Sequence, residues 1–155
     1  PYNVPTAELV PLLGTGNPGD FHLYVDDDGS AYHVRGGMDV VKLNGSYTGM
    51  DTLVSTFLTP LTAEGMVMFK RNGYYYVLSG ALCCACVGGS NIFVHQAESP
   101  AGPWQYLGDI GSNPGVPFRT HVPGKYVTNA QGSAIFSVPA PDGTMTYIWL
   151  GNQWN

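Results

Sequence analysis

The chain has 155 residues, enough for one domain with a modest core. Only 11% are charged and the formal charge is −5, with no basic run to neutralise phosphates, so the composition argues against a nucleic-acid partner. No apolar run approaches the ~18 residues that a membrane-spanning helix needs, while Gly (21) and Pro (12) together make about a fifth of the chain, the profile of a turn-rich all-β domain.

Residues 1 to 19 carry Pro1, Pro5, Pro11 and Pro18 and read as an extended lead-in; Pro1 begins mid-stream, so the chain reads as processed or partial. Phe21, Leu23 and Val25 alternate with His22 and Tyr24 in the period of a half-buried strand. An Asp-Gly turn follows at Asp28-Gly29, and Tyr32 and Val34 mark a return strand. Val40 to Leu43 is a third strand, closed by Asn44-Gly45. The stretch from Met50 to Phe57 fits either a strand or a short helical turn. Two apolar runs, near 66 to 70 and 74 to 79, flank Asn72-Gly73, a tight hairpin signal. Ile92 to His95 and Trp104 to Leu107 are further strands, and residues 109 to 128 read as a long loop. Ala134 to Val138 and Thr146 to Leu150 form a last hairpin about Asp142-Gly143.

A repeat emerges: apolar strand, Asp-Gly or Asn-Gly turn, Tyr-bearing strand, around Gly29, Gly73 and Gly143. Propeller blades look like this in sequence, and so does a β-sandwich. Cys83, Cys84 and Cys86 crowd one run; three thiols leave at least one unpaired or paired outside the chain, and no fourth ligand at zinc spacing accompanies them. His22, His33, His95 and His121 likewise show no ligand spacing. Asn44-Gly45-Ser46 is a glycosylation sequon, relevant only in a secreted protein. A lone Glu at the entrance of an apolar strand, such as Glu64, is as often solvated as functional.

Two segments tip these alternatives. Asp20 to Gly29 resembles, without gaps, the D-P-S-L-F-F-D-D-D-G segment of family 43 glycoside hydrolases. Glu64 to Tyr76 resembles that family's E-G-P-x-x-Y-K-x-N-G-Y-Y-Y segment, and Ser99-Pro100-Ala101-Gly102-Pro103-Trp104 its S-P-x-G-P-W turn. The resemblance implies a five-bladed β-propeller. Twenty strands with their connections need on the order of 200 residues, so residues 1–155 would supply about half a propeller, completed by further blades or a partner chain.

The resemblance implies inverting hydrolysis with Glu64 as general acid and Asp20 as the carboxylate that tunes it, since a negative neighbour keeps an acid protonated to higher pH. Asp26, Asp27 and Asp28 read as solvated turn formers. Glu8 precedes Asp20 but is not assigned as base. The exo-β-1,3-galactanase branch is similar further downstream: Asn129 to Phe136 resembles a segment in which Gln131 would hold the attacking water, and Tyr147 to Trp154 resembles its Y-I-W-x-G-D-R-W. The alternative for Gln131 is an amide that satisfies buried backbone groups. Asn152 and Gln153 depart from the branch, where Asp and Arg are expected. Tyr75, Trp104, Trp149 and Trp154 are aromatics that could stack on sugar rings or fill the core; Tyr75, Trp104 and Trp154 are the expected substrate contacts. No cofactor is expected; relatives can carry a central metal such as calcium, and no residue here is assigned to one. The expectation is thus a secreted, extracellular glycosidase acting on polysaccharide side chains, β-1,3-galactan first and arabinan or xylan next. The competing expectation is a non-catalytic glycan-binding or structural module built from the same blades.

Overall fold

The computed structural model describes residues 19–59, 62–81, 91–111 and 130–153. Among them are ten strands: β1 (Phe21–Val25), β2 (Ala31–Arg35), β3 (Asp39–Leu43), β4 (Met50–Thr56), β5 (Ala63–Arg71), β6 (Tyr74–Ala81), β7 (Phe93–Ala97), β8 (Gln105–Asp109), β9 (Ala130–Pro139) and β10 (Met145–Gln153). They form two antiparallel four-stranded sheets, ordered β1-β2-β3-β4 and β5-β6-β7-β8, and the hairpin β9-β10. The stretch from Met50, open between strand and turn in sequence, is strand β4. Sequential up-and-down sheets of four strands are propeller blades. β1 lies against β5 and β5 against β9, so the first strands of the three sheets are neighbours. No helix among the described residues is long and apolar enough to cross a membrane.

The middle sheet is buried on both faces, which explains the unbroken apolar run Met66-Val67-Met68-Phe69. Met66 and Met68 point to one side, where Tyr75 and Val77 of β6 join Tyr32, Val34 and Val40 of the first sheet and Phe57 just after β4. Val67 and Phe69 point to the other, where Leu78 and Tyr76 meet Ile135 and Trp149 of the last hairpin. A strand covered on one face alternates apolar with polar; one covered on both does not.

The three hairpin turns predicted around Gly29, Gly73 and Gly143 are present, with all three glycines near φ +80°. Asn72 also has positive φ, as a two-residue hairpin turn requires. In the other two turns the preceding Asp caps the loop: Asp28 accepts from the Ser30 N–H at 2.8 Å, and Asp142 from the Thr144 N–H at 3.0 Å.

Asp26 corrects the expectation of three solvated turn acids. It is buried, and its carboxylate accepts hydrogen bonds from the Tyr24 hydroxyl (3.1 Å), Lys70 Nζ (2.9 Å), the Asp27 N–H (2.8 Å) and the Tyr75 hydroxyl. Burial alone would raise its pKa; the donors, Tyr75 and Lys70 foremost, outweigh that and bring it down to about 2. Asp26 therefore ties the first turn to the β5–β6 hairpin of the next sheet. Asp28 stays exposed, as expected.

The buried pair Arg35–Asp39 (3.2 Å) closes the β2–β3 turn, and Asp39 also accepts from Thr56 Oγ1 at 2.6 Å. The lead-in up to Pro18, Glu8, the cysteines Cys83, Cys84 and Cys86, His121, Asn129 and Trp154 lie outside the described residues.

Candidate active site

Three polar side chains sit where the three first strands begin. Asp20 immediately precedes β1, Glu64 is the second residue of β5, and Gln131 is the second residue of β9. Because β1, β5 and β9 are neighbours, residues 20, 64 and 131 are brought to one end of the assembly.

The local backbone makes the convergence tight. Between Glu64 and Val67 the β5–β6 register slips, from Glu64↔Gly80 to Val67↔Leu78. Such a bulge takes backbone groups out of the ladder and re-aims a side chain. The Gly65 N–H donates to Asp20 Oδ2 at 3.2 Å, which places the Asp20 carboxylate beside the residue that follows Glu64. Gly65 has φ +60°, and a Cβ there would stand 2.5 Å from Gln131 Cγ and 2.9 Å from the Gly132 carbonyl. Glycine is required at this crossing both for conformation and for space. Gly132 is the reciprocal case: its Cβ would meet the Gly65 carbonyl at 2.6 Å.

Gln131 is 6% exposed and donates from Nε2 to Glu64 Oε2 at 3.0 Å. Its amide therefore engages the carboxylate. An inverting acid–base pair stands roughly 6.5–9.5 Å apart to admit ring and water. Residues 64 and 131 are here hydrogen-bond partners, closer than a pair flanking a sugar. Glu64 itself is half-buried, while Asp20 is exposed.

Beside Asp20 and Gln131 is a cavity of ≈ 290 Å³ whose lining includes Phe21, Gly65, Ser133 and Asn152 but not Glu64. Phe21 is 57% exposed and stacks on His33 with ring centres 4.9 Å apart. Asn152 faces Gln131 across the β9–β10 ladder. Sequence reasoning missed Phe21 as a wall of this cavity; the signal was an aromatic residue next to Asp20 at the position of the family's proline. A larger groove of ≈ 540 Å³ runs between the same first strands toward their turn ends and is lined by none of Asp20, Glu64 or Gln131.

His22 was also missed. Its Nδ1 accepts the Met68 N–H at 3.2 Å, joining β1 to β5, and burial lowers its pKa, in keeping with a neutral acceptor nitrogen. Among the described residues no cluster of His, Cys, Asp or Glu could hold a metal ion.

The aromatic expectations divide. Tyr75 is 8% exposed, belongs to the core between the first two sheets and gives its hydroxyl to Asp26. The expected sugar contact at Tyr75 is thereby corrected: the ring has no open face to offer. Trp104 is half-buried, stacks on Phe57 with ring centres 4.8 Å apart and donates to Ser55 Oγ at 3.1 Å. It is absent from the lining of the Asp20 cavity. Trp149 packs against the core on the other face of the middle sheet.

Up-and-down four-stranded blades with their first strands side by side define a β-propeller, here with polar side chains gathered at one end of those strands. Solved structures share that architecture. The chain superposes on an exo-β-1,3-galactanase from Clostridium thermocellum with TM-score 0.68 at 22% identity, covering 87% of this chain and 27% of that one. An exo-β-1,3-galactanase from Phanerochaete chrysosporium, solved with galactose, gives 0.64 at 20%, covering 88% and 29%. A family 43 β-1,3-galactosidase gives 0.68 at 21%, covering 88% and 27%. No family profile and no curated protein sequence matches the chain. At these identities the likeness establishes the fold alone: the chain has the blades of a β-propeller, as those solved structures do. It spans between 25% and 44% of the length of the solved chains it resembles, part of such a domain.

Proposed function

We propose that the chain forms the acid-bearing part of an inverting exo-glycosidase of family 43 type, acting on β-1,3-galactan. The observation that carries the reading is the meeting of Asp20, Glu64 and Gln131 from three successive first strands, with Gln131 on Glu64 at 3.0 Å and Asp20 on the Gly65 N–H at 3.2 Å. Glu64 protonates the departing glycosidic oxygen, and Asp20, bonded to the Gly65 N–H, holds the backbone beside it. Gln131 leaves Glu64 when sugar binds and orients the water that attacks from the opposite face. An ordinary amide is a weak base, so this last role calls for the imidic acid tautomer. The galactose and β-1,3-galactotriose bound in solved structures of the fungal enzyme support a galactan substrate. Secretion accompanies a polysaccharide substrate, and further blades complete the pocket.

The test uses the complete protein on β-1,3-galactan. Glu64→Gln is expected to reduce hydrolysis of natural glycan by about 10²–10⁴-fold, the weight of general acid catalysis, while binding is retained. Substrates with good leaving groups should suffer less, and the released galactose should carry the α configuration. Near-full activity of Glu64→Gln on natural glycan would refute the reading.

One observation favours a second reading, a non-catalytic glycan-binding module. Asn152 lines the cavity where the galactanase branch is expected to carry Asp. Wild-type protein that binds galactan without releasing galactose would decide for it.

A further inference from the structure

We propose that Asn44 is an N-glycan acceptor, carrying its glycan at the end of the first sheet remote from Asp20. The inference is independent of the glycosidase reading and needs only passage through a glycosylating secretory pathway.

Asn44-Gly45-Ser46 has the acceptor pattern, but pattern alone is common. The turn between β3 and β4 supplies the geometry. Asn44 Oδ1 accepts from the Ser46 hydroxyl at 3.1 Å and from the Thr48 N–H at 3.0 Å. Both bonds engage the amide oxygen within the turn. Nδ2 keeps only a long 3.4 Å contact to Thr48 Oγ1, an exposed hydroxyl. Donation into the amide oxygen polarises the amide, and Asn44 itself is half-buried. Gly45, Ser46, Tyr47 and Thr48 are all exposed, and the space around Gly45 is open. Tyr47 clamps the turn by donating its hydroxyl to the Gly29 carbonyl at 2.7 Å. That contact also fixes the turn at the Gly29 end of the sheet, the opposite end of β1 from Asp20. A glycan there leaves the candidate active site open. Beside Asn44 lies a groove of ≈ 400 Å³ whose lining includes Asp28, Ser30, Lys42, Tyr47 and Asp51. Tyr47, 52% exposed, offers an aromatic surface to the first sugar units.

The donor is a lipid diphosphate-linked oligosaccharide. Nδ2 forms a bond to C1 of its reducing-end sugar while the C1–O bond to the diphosphate breaks. The lipid diphosphate leaves with the electron pair, and one Nδ2 proton passes to a base of the transferase.

The full chain, produced behind a secretion signal in yeast, tests the proposal on total protein from cells and medium. Treatment with an amidase that removes N-glycans is expected to sharpen its gel mobility to that of the unmodified chain and to convert residue 44 from Asn to Asp in the peptide mass. Ser46→Ala, which leaves Asn44 in place, is expected to abolish the modification, and Ser46→Thr to preserve or raise it. Peptides containing residue 44 that are unmodified in translocated wild-type protein would overturn the proposal, as would modification that persists in Ser46→Ala.

Discussion

Asp26→Asn isolates the charge of the one acid among Asp26, Asp27 and Asp28 that is buried. Asparagine is the neutral isostere of protonated aspartic acid, so the variant resembles the wild type at a pH below the Asp26 pKa. The carboxyl lies at about 2, against 3.8 for the ordinary group, which corresponds to roughly 2 kcal/mol of linked stability. The pKa is lowered in the folded state. Its contribution is therefore complete above about pH 4 and disappears as pH falls toward 2. Asp26→Asn is expected to cost about 2 kcal/mol at pH 7, measured by urea denaturation with tryptophan fluorescence. It should also remove the part of the wild-type pH dependence that lies between pH 4 and 2, so that the two proteins converge near pH 2. Asp28→Asn, an exposed change in the same turn, provides the control and should stay within about 0.5 kcal/mol, its Oδ1 still capping Ser30. A loss below about 0.5 kcal/mol in Asp26→Asn, or an unchanged pH slope, would refute the hub.

Gly65→Ala should destabilise by about 3 kcal/mol or more, because positive φ and a backbone clash at 2.9 Å act together; a change under about 1 kcal/mol in denaturation would contradict the required close approach. Trp104→Ala should cost about 2 kcal/mol through lost packing on Phe57 while leaving galactan binding of the complete protein unchanged, and weakened binding at unchanged stability would return Trp104 to the sugar site.

The fold was legible wherever local chemistry decided it. Asp28-Gly29, Asn72-Gly73 and Asp142-Gly143 stand at the three hairpin turns, and the double burial of β5 was written in Met66-Val67-Met68-Phe69. What was not legible depends on partners far along the chain. Asp26, Asp27 and Asp28 are equivalent in sequence, yet one is buried because Lys70 and Tyr75, 44 and 49 residues away, arrive on its carboxylate. Tyr74, Tyr75 and Tyr76 show the same limit: Tyr74 is 40% exposed, Tyr75 faces the first sheet, and Tyr76 faces the last hairpin. Period-2 alternation separates 75 from its neighbours but does not say which face is open. The site was legible as residues, through the family-like segments, and not as contacts. Nothing in the sequence places the Gln131 amide on Glu64 or the Gly65 N–H on Asp20.

Both of those contacts arise from breaks in the ladders. β5 slips register after Glu64, and β9–β10 slips where Leu150↔Ala134 gives way to Gly151↔Gly132, leaving Ser133 without an opposite number. The two irregularities lie at the same end of neighbouring strands and flank the Gly65–Gly132 crossing. A regular ladder there would occupy the Gly65 N–H and hold the Glu64 and Gln131 side chains perpendicular to separate sheets. The bulges free the N–H for Asp20 and let two backbones approach closely enough for side chains from different blades to meet. At the opposite end the turns are regular and held by Asp26, Asp28 and Asp142, whose bonds are local or structural. Two of the three hairpins thus keep an irregular end for the candidate site and a regular end for stability, while β1–β2 pairs in unbroken register from Phe21↔Arg35 to Val25↔Ala31. A substitution at Gly65 or Gly132 is accordingly expected to disturb the Glu64–Gln131 contact directly, whereas one at Asp26 should change how firmly the first two sheets are held and leave that contact in place.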